Sequence, residues 1–148
     1  MGNATFGWFV LCERALFAQD TNNVSMFECL EQVSAAGFPA QIRCLTGVVY
    51  FYRDNAHEDF VQRMRLVVEP PGREDVTVAE WNLPFAAGNL RTRSRLVFED
   101  FTFKTHGAYH FRVDVPTTDE EGWTAAARLP LQVVETPEAD PGVHTESR

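Results

Sequence analysis

The chain has 148 residues, 45% of them hydrophobic and 23% charged, with a formal net charge of −8. That length and composition belong to one globular domain whose core is large enough to fold without disulfide or metal staples. Such an acidic balance repels phosphate backbones and anionic lipid, which argues against nucleic-acid and membrane partners, and twelve Phe with three Trp and three Tyr exclude a disordered chain.

Phe6 to Cys12 is apolar apart from Gly7. The run is too short to span a bilayer, and it lacks the basic flank and cleavage site of a signal peptide, so the expected location is the cytoplasm. Cys12, Cys29 and Cys44 show no Cys-x-x-Cys spacing and read as buried free thiols of a reducing compartment. Every basic residue except Lys104 is arginine, which suggests GC-rich coding and a bacterial source.

In chain order, Trp8 to Leu16 reads as a strand and Asp20 to Asn23 as a turn. Ser25 to Glu28 has the spacing of a helix capping box, but the turn lies between two similar apolar runs, which favours a β-hairpin. Ala35 to Pro39 reads as a crossing loop. Ile42 to Tyr52, nearly continuous in β-branched and aromatic residues, fits a central strand, with a bulge expected at Gly47. Asp54 to Asp59 is a polar loop carrying His57. Met64, Leu66 and Val68 face inward while Arg63, Arg65 and Glu69 face out, until Pro70-Pro71-Gly72 ends the run.

Val76, Val78 and Trp81 mark a short strand, and Trp81 to Gly88 is expected to be a loop. Between Arg95 and Phe103 the apolar parity switches at Glu99-Asp100, which predicts a β-bulge or a sharp bend. Tyr109, Phe111, Val113 and Val115 line one face of the next strand. The odd positions from Trp123 to Val133 line one face of the last, and Pro130 on its outer side suggests an edge or a change of partner. This divides the chain into a sandwich domain, 1–135, and a disordered acidic tail, 136–148. The expected fold is all-β, an antiparallel sandwich of about eight strands.

Two resemblances add to this. Thr105-His106-Gly107-Ala108-Tyr109-His110-Phe111 resembles the corner that opens the penultimate strand of many immunoglobulin-like domains, with Tyr109 as the corner tyrosine. Phe111 stands where antibody domains carry a disulfide cysteine, so the resemblance implies a member without that disulfide. Phe9 to Glu13, Asp20 to Phe27 and Gly37 to Ala40, with the Gly-x-Tyr-x-Phe strand and Leu129-Pro130-Leu131, together resemble an uncharacterised family of small bacterial proteins. That resemblance implies an intracellular β-sandwich and no activity.

Catalytic motifs are lacking: there is no Gly-rich phosphate loop, no Gly-x-Ser-x-Gly and no His-Glu-x-x-His. His106 and His110 flank a turn, and Glu58-Asp59, Glu99-Asp100 and Asp119-Glu120-Glu121 read as solvated turns, so no cofactor or metal is expected. Two patterns suggest contact surfaces instead. Arg91, Arg93 and Arg95 share one strand face, as do Arg63 and Arg65. On a common sheet these five would form a basic patch for an acidic protein or a phosphorylated ligand. The expected loop would present Leu83 and Phe85 as anchors for a partner. The expected function is therefore a non-enzymatic protein-binding or scaffold module. The alternatives are a small-ligand-binding protein or enzyme with a loop-built site, and a structural subunit that self-associates by its sheet edges.

Overall fold

The computed structural model describes residues 4–136; the expected tail lies outside them apart from Thr136. Nine strands follow one another: β1 (Thr5–Phe17), β2 (Val24–Cys29), β3 (Gln32–Ala35), β4 (Ala40–Tyr52), β5 (Phe60–Glu69), β6 (Val76–Phe85), β7 (Arg91–Phe103), β8 (Gly107–Pro116) and β9 (Trp123–Glu135). They form a four-stranded sheet in the order β2-β1-β4-β7 and a five-stranded sheet in the order β3-β9-β8-β5-β6. Pairing is antiparallel except between β3 and β9. The fold is an all-β, immunoglobulin-like sandwich. Its corner is formed as expected: the Tyr109 hydroxyl donates to the Thr105 carbonyl at 2.7 Å.

There are nine strands rather than about eight because the second arm of the N-terminal hairpin divides. β2 stays beside β1, while β3 crosses to the other sheet; positive φ at Glu28 lies just before the break. Ala35 to Pro39 then returns the chain to β4, which is central, as expected. Gly47 is not a bulge, because its pairing with Leu11 and Leu96 stays in register. It is small because the Phe9 ring packs on it, 3.2 Å from where a Cβ would stand.

The core between the sheets gathers Phe9, Leu45, Phe51, Met64, Leu66, Val68, Phe103, Phe111, Val113 and Leu131. Expected parity holds along β5 and β8. At Glu99-Asp100 the sharp bend is found and no residue is inserted: the register on either side is unchanged, Ile42 opposite Phe101 and Cys44 opposite Glu99. Asp100 takes a positive φ. Both strands change parity there, so Ile42 and Leu45 both reach the core.

β9 departs from expectation in one place. A register shift between Val113/Ala127 and Asp114/Ala125 leaves Ala126 extra and turns Trp123 to the outer face. At the other end, the Gln132 amide donates to the Glu31 carbonyl just before β3, and Pro130 points its absent N–H the same way by strand parity. β3 pairs only from Gln32 opposite Gln132 onward, so the proline sits where β9 has no outer neighbour.

Candidate functional site

Sheet membership separates the arginines. Arg63 and Arg65 lie on β5 and Arg91, Arg93 and Arg95 on β7, in different sheets, so the five do not make one patch. On the five-stranded sheet's outer face the cations are neutralised. Arg63 pairs with Glu80 at 3.0 Å and Arg65 with Asp114 at 2.8 Å, and both guanidiniums lie over the Trp123 ring. Arg112 binds Asp114, Glu69 and Asp75, and Arg128 binds Glu69.

Asp114 is 2% exposed and is the hub of this network. Burial alone would push its carboxyl up, but hydrogen bonds from Arg112 and Arg65 outweigh burial and hold it below the ordinary range. Hydrogen bonding from Arg128 lowers Glu69 against a smaller opposing effect of burial. A face so thoroughly self-paired has little charge left to offer a partner.

The four-stranded sheet is built differently. Beyond Cys12 β1 leaves β4 and pairs with β2 alone, and this hairpin lies across the outer face of β4 and β7. The Thr46 hydroxyl donates to the Glu13 carbonyl at 3.1 Å, and Arg95 donates to the Ala15 carbonyl at 2.8 Å. Cys12, Ala15 and Val48 are buried beneath it as a second small core with Trp8, Val24 and Met26. Near the turn, Arg93 and Arg95 lie 4.9 and 5.4 Å from the Phe17 ring centroid, and Arg93 donates to the Asn22 carbonyl.

Beside the hairpin tip the outer face stays open. Trp8 stacks on Tyr50 at 5.2 Å and Tyr50 on Tyr52 at 6.1 Å, forming an aromatic row next to Arg91 and Arg93. Gly7 makes the row: it is the extra residue between the Phe6/Phe51 and Trp8/Tyr50 pairs, and a Cβ there would enter the Tyr50 ring. A cavity of about 220 Å³ adjoins the row, lined by Phe17, Asn22, Asn89, Arg91, Thr92 and Arg93. Among the described residues, none that lines it is acidic. Among the described residues neither Arg91 nor Arg93 has a carboxylate partner. Burial, and after it the neighbouring Arg91 charge, lowers the Arg93 pKa.

The expected loop anchors are corrected. Leu83 and Phe85 belong to β6, are 6% and 1% exposed, and pack in the main core. They are therefore not partner-facing side chains. The segment is a strand because Gln62 and Phe60 on β5 pair with it through to Phe85.

Arg53 is a residue the sequence did not single out. It is buried, donates to the Asn89 carbonyl at 2.9 Å and the Ala86 carbonyl at 3.1 Å, and stacks 5.0 Å from the Phe85 ring centroid. One of its terminal nitrogens has no partner among the described residues. It pins the β6–β7 turn that carries Asn89. Its only sequence signal was an arginine directly after a long apolar strand.

Other candidates resolve into structure. Asp119 accepts from the Thr117 hydroxyl and the Glu121 amide, closing its own turn. His106 lies against Phe38, and His110 sits opposite Glu69 and Pro130. Among the described residues no group of three or more His, Cys, Asp or Glu is placed to hold a metal. A cavity of about 400 Å³ is lined by Glu13, Arg14, Leu30, Val33, Ile42, Arg43 and Cys44.

No family model matches the chain and no curated protein matches it, so the resemblance to a small bacterial family rests on the residues quoted above. Solved structures do match. One is the soluble domain of PmoD from Methylocystis sp., 10% identical, with 88% of this chain and 95% of that one covered and a TM-score of 0.32. That TM-score is too low for the likeness to bear on fold or function.

Proposed function

We propose that this chain is a non-enzymatic binding module that docks an acidic protein on the outer face of its four-stranded sheet. The contact centre is Arg91 and Arg93 beside the Trp8–Tyr50–Tyr52 row. The observation that carries the reading is the contrast between the two faces. Arginines on the five-stranded sheet are each matched to a carboxylate, whereas Arg91 and Arg93 are matched to none among the described residues.

On a chain of net charge −8, unneutralised cations gathered at one spot are a local exception to a field that otherwise repels acidic proteins. They give a steering and register point for a complementary partner. Arginine with Tyr and Trp, here an exposed Tyr52 beside the half-buried Tyr50 and Trp8, is also the side-chain set that dominates binding energy at protein interfaces. The cytoplasm remains our proposed setting, where three free thiols persist.

The test is affinity capture of the tagged chain from its native lysate, with Arg91→Glu/Arg93→Glu compared against Arg63→Glu on the opposite sheet. The reading expects an acidic protein retained by wild type and Arg63→Glu, lost by the double variant and released by salt. Equal recovery from all three forms would overturn it.

A second reading has one observation in its favour. The 400 Å³ cavity has an apolar wall of Leu30, Val33 and Ile42 with Glu13, Arg14 and Arg43 around it, a size and make-up that suit a small ligand.

A further inference from the structure

The cavity beside Arg91 and Arg93 has the chemistry of an anion site. Its two guanidiniums stand at positions i and i+2 of one strand, about 6–7 Å apart along the backbone and on the same face. Arg93 is already positioned before any ligand arrives. Its guanidinium rests on the Phe17 ring and is fixed by the Asn22 carbonyl, so little side-chain freedom remains to be lost on binding. Arg93 keeps further N–H donors beyond that one bond. Among the described residues nothing acidic lines the cavity, and Thr92 and Asn89 add neutral polar groups.

The geometry also discriminates among anions. A carboxylate can accept from two guanidiniums, as Asp114 does, but its single negative charge leaves one of the two positive charges uncompensated. A phosphomonoester has three acceptor oxygens and close to two negative charges at neutral pH, so it can bridge two forks and relieve the repulsion between them. About 220 Å³ is ample for such a group with water around it.

We infer that this pocket binds a phosphomonoester, held between the guanidiniums of Arg91 and Arg93 and carried on a side chain of the docked protein. The identity of the carrier rests on the docking reading above; the pocket's preference for phosphate does not.

The experiment is calorimetric titration of the full chain at fixed ionic strength with inorganic phosphate, a phosphoserine hexapeptide, the same peptide unphosphorylated, and acetate. The inference expects the phosphopeptide to bind at least about tenfold more tightly than the unphosphorylated peptide or acetate, with inorganic phosphate weaker than the phosphopeptide. Arg91→Gln/Arg93→Gln should remove about tenfold or more of that affinity, while Arg63→Gln leaves it unchanged. Arg93→Lys, which keeps the charge and loses the fork, should fall between. Thermal unfolding of each variant shows that the fold is intact.

Acetate binding as tightly as phosphate, or equal losses in Arg63→Gln, would reduce the effect to general attraction and overturn the inference. So would no binding of either phosphate probe. Inorganic phosphate binding more tightly than the phosphopeptide would overturn the side-chain carrier. If the captured protein depends on the two arginines while no phosphate probe binds, this inference fails and the docking reading stands. If phosphate binds while capture ignores the arginines, the docking reading fails and the pocket stands.

Discussion

The Tyr109 hydroxyl donates to the Thr105 carbonyl and accepts from the Thr105 amide at 3.3 Å, tying the start of β8 to the segment before it. Its ring packs edge-on against Phe103 with centroids 5.0 Å apart. Tyr109→Phe keeps that packing and removes only the hydroxyl, leaving two backbone groups short of a partner. The expected cost is about 1–2 kcal/mol, read as a lower urea midpoint with an unchanged slope. An unchanged midpoint would mean that water replaces the hydroxyl and the corner contributes shape alone. Arg53 works at the same scale but in the opposite sense. It holds a turn through carbonyls and a ring face, with no carboxylate among the described residues bonded to it.

At the scale of elements, the β1–β2 hairpin is the piece with its own small core, and that independence is testable through its thiols. Cys12 is fully buried beneath the hairpin, while Cys29, directly opposite it on β2, is exposed. Burial first, and then the nearby Cys29, raise the Cys12 pKa, so less of it is thiolate at neutral pH. With a maleimide or iodoacetamide pulse read by mass spectrometry, Cys29 should label at once and Cys12 only when the hairpin lifts. Phe17→Ala removes the ring that Arg93 and Arg95 rest on, and should speed Cys12 labelling about tenfold or more with little change in the global unfolding midpoint. Equal acceleration of Cys44 would show that the whole sheet opens instead. Much of this level was legible in the sequence. Alternation in β5 and β8 named the inward residues, because each strand has one wet face. The second half of β6 was not legible: Asn82 and Pro84 read as loop formers. Pro84 is tolerated because β6 is an edge strand whose outer N–H groups need no partner. Trp123 was assigned to the wrong face because one extra residue, Ala126, inverts every parity before it. Which arginines share a sheet depends on pairing between strands far apart in sequence, and no local period carries that information.

For the whole molecule, the outer face of the five-stranded sheet sets how stability responds to acid. Asp114 and Glu69 both have folded pKa values below their unfolded ones, about 3.9 and 4.3. A lowered carboxyl contributes stability that is fully present above its unfolded value and is lost as pH falls through the folded value. Stability should therefore be nearly flat from pH 7 to about 5 and decline below about 4. Asp114→Asn keeps the shape and removes the charge that Arg65 and Arg112 share. At pH 7 it should cost about 3 kcal/mol, because two partly buried guanidiniums lose their common counter-ion. Arg112 retains Glu69 and Asp75, which keeps the loss from being larger. The gap between variant and wild type should then begin to narrow below the unfolded value of about 3.9 and close as pH falls through the lower folded value of Asp114. Urea titrations of both proteins between pH 7 and pH 2.5 measure this directly. A gap that stays constant across that range would mean that the Asp114 charge is not what holds the network, and that its contribution is packing. Because Arg91 and Arg93 lie on the other sheet, Asp114→Asn should leave phosphate affinity untouched while the fold remains populated. That separation follows from the difference between the two sheets: the arginines of one are matched to carboxylates, and those of the other, Arg91 and Arg93 included, have no carboxylate partner among the described residues.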